Sequence, residues 1–479
     1  MTDRTALLAF ALLATFAGAC FAAEEADPPQ RTDWNSTSPG DRSVFRKQDS
    51  GDWLELKPNG GSISFEQSDA NDEYVELFDP GRAIRIRFGA ERSRMKIGDR
   101  DWFDWLAGGW VEEQDLPDWA YLAPVDHRVR LVYFVPKDRE PTANWREKIV
   151  TLMTFVNDFY KDDFRRRGWN DRGLIFETNE QGTPIVHLLH GERTAVEYNG
   201  APEYDVYRHL DRCLSEIPPT IGDQRRQLVV SFLETYDSGD APFEWPGGLA
   251  LGGQRGVDGG MASFSAWILR DEFCATSREE QLKLLTDATP IEGRKAHGHP
   301  RMNSPRFEFI EDGFGAVIHE VGHALGLPHD QRRDDRYIMG NGFRNLRVNL
   351  NESLPLERRV RFSDENARLL KQSRHLNPDW DREDRTAPKV ELSLSPGEDG
   401  KVAAKVVISD DRELASMLFF DTVRGSVVDG QELQGAEATI EKTLDLRADE
   451  TSGERSVEAF VIDKSGRITR VTERLKKAE

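Results

Sequence analysis

Five residues between positions 319 and 329 are suited to metal-dependent hydrolysis, four through their side chains and one, a glycine, through its backbone. His319 and His323 are four residues apart, so on a helix both imidazoles lie on one face and can bind one metal ion. Glu320 follows the first histidine and is close enough to hold water at the metal without being a ligand. Gly326 allows a left-handed residue that ends the helix, and the chain can then bring His329 to the metal from a second direction.

These residues predict a catalytic zinc site. Three neutral imidazoles leave the fourth position of a tetrahedral Zn²⁺ open, unlike structural sites that have four protein ligands. Water at that position would have its pKa lowered from about 16 to about 7, and Glu320 would accept its proton as general base. The alternative is a solvated helix with surface histidines. His329 and Gly326 have no reason to follow at this spacing in such a helix.

The segment resembles the extended HExxHxxGxxH motif of the metzincin zinc peptidases. Met339, within Tyr337-Ile338-Met339-Gly340, is similar to the Met-turn of that family, which implies apolar support beneath the metal. The ten residues from His329 to Met339 resemble the matrixin-like and reprolysin-like branches, and Asp330 is most similar to the reprolysin pattern. Residues 340–343 contain no tyrosine where astacins and serralysins place an additional ligand. Asp330 is expected to fix His329 through a neighbouring group, or else to be a solvated charge.

The favoured hypothesis is a zinc-dependent endopeptidase whose substrate is a protein or peptide. One alternative is a catalytically weak surface adhesion or polymer-binding protein that keeps a zincin-like domain. Glu320 argues against it, because an inactive domain needs no general base. Another alternative is hydrolysis of an amide or ester that is not a peptide.

The elements before the motif predict an α/β zincin (metzincin-like) catalytic domain over residues 127–377. Residues 129–135 are predicted to form a strand that ends at Pro136, and residues 144–167 have apolar positions at helical spacing. Further strands are predicted at 174–176, 185–189 and 228–233, and a helix capped by Ser363 follows the motif. By family analogy, the glycine-rich segment at 249–267 would form the edge strand of the cleft. Its residues Gly260, Met261 and Ala262 would then pair with an extended substrate, and a structural loop followed by an ordinary strand is the alternative.

Two flanking β-regions are predicted. Residues 24–42 are polar and contain prolines, which indicates a linker, and residues 43–115 contain short alternating runs typical of a small β-domain. A carbohydrate-binding platform is one use for this domain's tryptophans, and core packing is the other: Trp53, Trp102, Trp105 and Trp110. Alternation returns over residues 386–479 and predicts an immunoglobulin-like β-sandwich. A polysaccharide or surface partner would bind through these β-regions.

The N-terminus predicts export. Residues 1–23 combine Arg4, an apolar run and small residues, as in a signal peptide that is removed after Ala19 or Ala22. The sequence before Cys20 also resembles a weak bacterial lipobox, so lipid anchoring through Cys20 is the alternative to plain secretion. The run is too short for a transmembrane helix. The protein is therefore expected outside the cytoplasm, either secreted or in the cell envelope.

Charge and cysteines narrow the function further. With 64 basic and 85 acidic residues the net charge is −21, which disfavours binding to nucleic acid or anionic membranes. Calcium sites and solubility are two explanations of this acidic surface. After export, Cys213 and Cys274 form an even pair, for which a disulfide or two buried thiols are expected. No cysteine precedes the catalytic region in the exported chain, which excludes a matrixin-type cysteine switch.

Overall fold

Three β-structures follow one another along the chain in this computed structural model, and the middle one carries the principal helices. The structure describes residues 31–48, 51–58, 62–120, 126–170, 172–236, 250–256, 258–297, 299, 301–333, 335–384 and 386–475. The predicted signal peptide and Cys20 lie outside these ranges. None of the helices in these ranges combines the length and the hydrophobicity needed to cross a bilayer.

The N-terminal region is a closed antiparallel barrel, in which the last strand pairs with the first. Its strands are β1 (Asp33–Ser36), β2 (Val44–Lys47), β3 (Trp53–Leu56), β4 (Ser62–Ala70), β5 (Val75–Asp79), β6 (Ile84–Phe88), β7 (Arg92–Ile97) and β8 (Phe103–Trp110). Strand β1 lies within residues 24–42, so that part of the predicted linker is wrong. The reason is Trp34, whose fully buried ring fills the barrel core and holds a polar segment in place.

The barrel's tryptophans do not form the predicted carbohydrate platform. Trp53 is fully buried, and Trp105 and Trp110 pack against the same core. The guanidinium of Arg87 lies over the Trp102 ring, 4.3 Å from its centroid. Core packing therefore accounts for Trp53, Trp105 and Trp110, whereas Trp102 packs against Arg87.

The central sheet has five strands in the order β10-β9-β11-β13-β12. All neighbouring pairs are parallel except β12 with β13. The strands are β9 (Val129–Val135), β10 (Val186–His190), β11 (Leu228–Leu233), β12 (Ala250–Arg255) and β13 (Gly260–Ser265). The predicted strands at 129–135 and 228–233 are confirmed. Strand β11 is buried along its whole length and β9 at every residue except Arg130, as central parallel strands require.

The three residues predicted for the edge strand are wrong, although the predicted segment 249–267 does contain the edge strand, β12. Gly260, Met261 and Ala262 belong to β13, which pairs with β11 on one side and β12 on the other. Their backbone groups are therefore engaged within the sheet. The chain reverses between Gly256 and Gly259, whose backbones share a hydrogen bond of 2.9 Å. This reversal makes the earlier arm, β12, the outer strand.

Six α-helices accompany the sheet in the described ranges: α1 (Trp145–Arg166), α2 (Ala195–Asn199), α3 (Val206–Leu214), α4 (Arg278–Thr286), α5 (Arg306–Ala324) and α6 (Asp364–Gln372). The predicted long helix is confirmed as α1, and its apolar stripe is buried against α5 and the sheet. Ser363 caps α6 by accepting a hydrogen bond from the Asn366 backbone N–H, as predicted. Short 3₁₀ turns occur at Glu113–Asp115, Asp118–Ala120, Ala266–Leu269, Gly342–Leu350, Leu356–Arg358 and Glu398–Gly400.

The predicted disulfide between Cys213 and Cys274 is wrong, because both thiols are free and buried. Cys213 packs in the cluster that contains Val132, whereas Cys274 packs in the cluster that contains Leu131. Leu131 and Val132 are consecutive on β9, and consecutive residues of a strand point to opposite faces. The central sheet therefore separates the two cysteines.

The C-terminal region consists of two packed antiparallel sheets, with strand orders β14-β15-β18 and β17-β16-β19-β20. The strands are β14 (Lys389–Pro396), β15 (Val402–Ser409), β16 (Leu414–Asp421), β17 (Ser426–Glu432), β18 (Glu437–Leu444), β19 (Arg455–Asp463) and β20 (Ile468–Leu475). Alternate residues of both sheets fill a common core. The opposite face of the four-stranded sheet contributes Leu418, Val427 and Phe460 to the hydrophobic cluster of the catalytic domain.

Candidate active site

Helix α5 carries two of the three predicted metal ligands. It begins after Pro305 and is buried along most of its length, because its first four turns pack inside the catalytic domain. His319 and His323 are one turn apart near its C-terminal end, and their rings approach to a centroid distance of 4.7 Å. The helix therefore presents both imidazoles in one direction.

The turn after α5 delivers the third histidine. Gly326 has φ +95°, a conformation that side-chain-bearing residues rarely adopt, and a Cβ there would lie 2.8 Å from the Arg255 side chain. The reversal places His329 Nε2 3.0 Å from His323 Nε2, and His319 Nε2 lies 3.1 Å from His323 Nε2. The three Nε2 atoms thus converge on one point.

Backbone carbonyls orient two of the imidazoles. His319 Nδ1–H donates to the Ile338 carbonyl at 2.7 Å, and His323 Nδ1–H donates to the Leu327 carbonyl at 2.8 Å. Each bond fixes the tautomer that leaves the Nε2 lone pair free for a metal. Burial lowers the pKa of His319 to about 3 and that of His323 to about 4, and it also lowers the pKa of His329. All three rings are therefore neutral at pH 7, which is the ligating form.

The histidines fit a transition-metal ion such as Zn²⁺. Zn–N bonds of about 2.0 to 2.1 Å in a tetrahedral site place two ligand nitrogens roughly 3.3 Å apart. The observed Nε2 separations of 3.0 and 3.1 Å are close to this value. His319 and His323 carry their protons on Nδ1, so their two Nε2 lone pairs face each other without a proton between them, an arrangement that a bound cation stabilises.

Glu320 is half-buried beside the histidines. The pKa of the Glu320 carboxyl group is raised to about 7, mainly because the group is buried. A hydrogen bond from the Gly253 backbone N–H acts in the opposite direction but is the smaller influence. A Cβ on Gly253 would lie 2.1 Å from the Glu320 carbonyl oxygen, so only glycine lets β12 approach α5 this closely. The edge strand and the carboxyl group are thereby held side by side.

Met339 and Asp330 form the floor of the site. Met339 is fully buried, and its Sδ would be 2.5 Å from a Cβ on Gly322, so the side chain lies directly against the helix that carries the ligands. The Asp330 N–H donates to the Met339 carbonyl at 3.0 Å. Its carboxylate accepts two hydrogen bonds from the Arg332 guanidinium, at 3.0 and 2.6 Å. Asp330 is completely buried, so the solvated-charge alternative is wrong.

A cavity of about 570 Å³ opens next to the histidines and extends along α5. Residues from distant segments line it. Ala250 and Trp267 lie in the segment predicted to line the cleft, whereas sequence reasoning did not assign the others to the site: Tyr204, Lys295, His297, Phe309, Asp312, Phe343 and Arg344. Asp312 is buried, which raises its pKa, and neither carboxylate oxygen accepts a hydrogen bond within the described ranges. One signal was present in the sequence. Asp312, Ala316 and Glu320 recur every four residues and so share a helix face.

Three crystal structures of OgpA from Akkermansia muciniphila are similar to this chain. The catalytically inactive form, in complex with an O-glycopeptide (glycodrosocin) substrate, is 15% identical, with a TM-score of 0.49 over 74% of this chain and 94% of that chain. Two wild-type crystal forms have TM-scores of 0.46 and 0.48, at 15% and 16% identity, over 74% of this chain and 95% and 94% of theirs. A search of the curated proteins found no match.

A protein-family model also matches this chain. The model of the Putative peptidase family (Metallopep) matches residues 130–383, which is more than half of the 479 residues. The match contains the three histidines, Glu320 and all five strands of the central sheet. A metal cofactor, a hydrolytic reaction and a protein or peptide substrate are what such a family implies. This chain belongs to the Putative peptidase family.

Proposed function

We propose that this protein is a zinc-dependent endopeptidase with a metzincin-like catalytic domain and an immunoglobulin-like C-terminal sandwich. The observation that carries the proposal is that the Nε2 atoms of His319 and His329 lie 3.1 and 3.0 Å from the Nε2 atom of His323, beside a carboxyl group of raised pKa. Zn²⁺ is favoured because three imidazoles with no further protein ligand leave an open position for catalysis. The buried Met339 beneath the ligands and the long helix before the motif support the metzincin-like assignment.

The protein's own groups divide the work of hydrolysis. Zn²⁺, when bound, polarises the scissile carbonyl and makes water acidic enough to attack near neutral pH. Glu320 takes a proton from the attacking water and returns it to the leaving nitrogen. A pKa near 7 suits both transfers, because the group must be deprotonated for one and protonated for the other. The Ile338 and Leu327 carbonyls keep His319 and His323 in the ligating tautomer throughout.

Strand β12 is the proposed docking edge for an extended substrate. It is the outermost strand of the central sheet, and its Ala250 lines the cavity while its Gly253 bonds Glu320. A peptide that adds to this edge is held by main-chain hydrogen bonds, which bind substrate without reading its side chains. Side-chain preference would then come from the cavity.

Asp312 lines the cavity and favours a substrate side chain that donates hydrogen bonds. The carboxylate of Asp312 lacks a hydrogen-bond donor in the described ranges, and His299 and Arg344 come no nearer than 3.6 Å. In an Asp312→Asn variant, peptides with a hydrogen-bond-donating side chain just after the scissile bond should be cleaved at least about 10-fold more slowly. The reason is that the buried carboxylate acceptor, which would pair with that donor, has been removed. Asp445→Asn, on an exposed residue of the sandwich, is the control. Cleavage-site sequencing on a peptide library measures the preference, and an unchanged preference in Asp312→Asn would contradict this role.

Metal content and peptide hydrolysis together test the function. Glu320→Gln should keep zinc and lose roughly 10² to 10⁴-fold in rate, whereas His323→Ala should lose the zinc itself. His190→Ala, on an exposed histidine of β10, is the matched control and should keep both properties. Full-rate casein cleavage by Glu320→Gln would exclude Glu320 as the base. Bound zinc without cleavage of any peptide by the unaltered chain would favour the adhesion alternative.

A further inference from the structure

Three aspartates meet where the catalytic domain joins the sandwich. Asp384 lies in the segment before β14, Asp410 follows β15, and Asp463 ends β19. One carboxylate oxygen from each lies within 4.8 Å of the other two. Asp384 and Asp463 are almost completely buried, at 1% and 0% exposure, and Asp410 is half-buried.

One oxygen of each carboxylate accepts a hydrogen bond from a backbone N–H close by in the sequence. The Thr386 N–H donates to Asp384 at 3.1 Å, the Arg412 N–H to Asp410 at 2.8 Å, and the Arg467 N–H to Asp463 at 2.9 Å. The second Asp384 oxygen accepts from the Ser465 hydroxyl. The Oδ2 atoms of Asp410 and Asp463 are buried and accept no hydrogen bond within the described ranges.

Nearby arginines neutralise this cluster only in part. Arg467 directs its guanidinium to the Asp384 carbonyl at 3.1 Å, and its Nε is 3.9 Å from the Asp384 carboxylate. Arg374 donates to the Ser465 carbonyl at 2.7 Å. Neither guanidinium donates to Asp410 or Asp463. Burial and the two neighbouring aspartates raise the pKa of Asp463 to about 7, which shows how poorly its charge is compensated.

We propose that Asp384, Asp410 and Asp463 bind a calcium ion that fastens the catalytic domain to the sandwich. All three ligands are hard oxygens, which Ca²⁺ and Mg²⁺ prefer over the nitrogen and sulfur donors that suit zinc. Ca–O bonds of about 2.3 to 2.6 Å allow two ligands of one ion to be up to roughly 5 Å apart. The three carboxylate oxygens lie within 4.8 Å of one another, inside this span. Mg²⁺ usually keeps several waters and is bound by only one or two carboxylates, so a site of three carboxylates favours Ca²⁺.

The position gives the ion a structural role distinct from hydrolysis. Asp384 is the first residue after the family match, which ends at residue 383, while Asp410 and Asp463 belong to two separate turns of the sandwich. An ion held by all three would join these segments in addition to the hydrophobic contacts between the two regions. A Cβ on Gly466 would lie 2.3 Å from the Gln372 carbonyl, so the turn beside the ion already packs tightly on α6.

Calcium titration of the zinc-loaded, full-length chain tests this site without using activity as the readout. After passage over a chelating resin and resupply of zinc, Ca²⁺ is added from about 10 μM to 10 mM, the range of extracellular calcium modules. We expect one saturable binding event by calorimetry and a melting temperature that rises by about 2 to 8 °C. Mg²⁺ at equal concentrations should give a smaller rise.

Two substitutions decide whether the aspartates are the ligands. Asp463→Asn should abolish the calcium-dependent rise, yet without calcium it should melt at or above the temperature of the unaltered chain, because a buried charge is gone. Asp410→Asn, at the less buried position, should also abolish the rise and decides the matter if Asp463→Asn does not fold. Asp445→Asn lies on the same sandwich outside the cluster and should keep the rise. No saturable binding by the unaltered chain, a retained rise in the folded cluster variants, or an equal response to Mg²⁺ would overturn the proposal.

Discussion

The two flanking β-regions meet the catalytic domain in opposite ways. The barrel has its own core and a second small cluster, and both contain only residues between 34 and 120. Its contacts with the catalytic domain include hydrogen bonds from Arg226 to the Gln48 side chain and from Arg225 to the Trp119 carbonyl. By contrast, Leu418 and Phe460 of the sandwich belong to the main catalytic cluster.

The sandwich also reaches the metal-binding turn. The Val427 N–H donates to the His329 carbonyl at 3.0 Å, and the Gln331 N–H donates to the Ser426 hydroxyl at 2.8 Å. Ile468 would be 3.5 Å from a Cβ on Gly326 at the start of the same turn. A region that shares a core and braces a ligand should unfold together with the active site. A region attached through polar contacts should unfold independently.

Removing each flanking region separately should give the largest difference between the two regions. A chain that ends at residue 385 exposes the apolar surface covered by Leu418, Val427 and Phe460, so we expect poor solubility and at least roughly 10-fold less activity. A chain that begins at residue 126 should remain folded and keep most of its peptidase activity, because the barrel core is separate. Soluble yield, circular dichroism and casein hydrolysis measure the difference. Equal loss in both truncations would refute the distinction.

A matched pair of core substitutions should separate the two regions within the full-length chain. Leu418→Ala and Leu77→Ala each remove a fully buried leucine, which costs about 2 to 5 kcal/mol. Leu418→Ala should lower the temperature at which peptidase activity is lost. Leu77→Ala should destabilise only the barrel and leave that temperature unchanged. Thermal inactivation, followed beside limited proteolysis of the barrel, makes the comparison; a similar activity loss in Leu77→Ala would show that the barrel is coupled after all.

Local patterns explain how much of the fold could be predicted from the sequence. The spacing of apolar residues within α1 and the apolar run Leu131–Val135 of β9 are properties of consecutive residues, and both elements occur where predicted. The position of β13 inside the sheet depends on pairing between distant segments, which periodicity does not contain. Closure of the barrel also depends on a short strand, β1, whose order comes from one buried ring, Trp34.

The same distinction applies to the candidate site. The histidines lie within eleven residues of each other, so their convergence follows from one helix and one turn. Asp312 was within reach of helix periodicity, but Arg344 and strand β12 reach the cavity from other segments through tertiary packing. The hydrogen bond between Gln331 and Ser426 joins residues 95 positions apart, and no sequence motif indicates it. Glu320 as base and zinc as the metal stay predictions.

Lowering the pH from 6.5 to 4 should destabilise the junction between the catalytic domain and the sandwich, and not the barrel. His127 packs edge-on against His375 and Trp380, and burial, followed by repulsion from Arg374, lowers its pKa from 6.5 to about 4. Because the pKa of His127 is lower in the folded state than in the unfolded state, the contribution of the neutral ring to the free energy of unfolding is complete above pH 6.5. It is lost as the pH falls toward 4. The loss is about 3 kcal/mol, from about 1.4 kcal/mol per pKa unit. The described barrel contains no histidine.

Unfolding at several pH values checks this effect with one variant. His127→Asn removes the titrating ring but tolerates the left-handed backbone at this position, where φ is 50°. Between pH 6.5 and 4 its unfolding free energy should fall less steeply than that of the unaltered chain, whereas the zinc ligands contribute equally to both. Parallel slopes would rule out His127 as a source of the acid sensitivity.

The smallest expected effect isolates the brace on the metal-binding turn. Ser426→Ala removes the hydroxyl that accepts from the Gln331 N–H, two residues after His329, and leaves that donor unpaired at a cost of about 1 kcal/mol. Zinc affinity should fall several-fold, because the turn that carries the third ligand is less constrained. Gln48→Ala removes the corresponding polar contact on the barrel side and should leave zinc affinity unchanged. Competition with a chromogenic chelator measures both, and equal affinities in the two variants would mean that the sandwich covers the turn without holding the ligand in place.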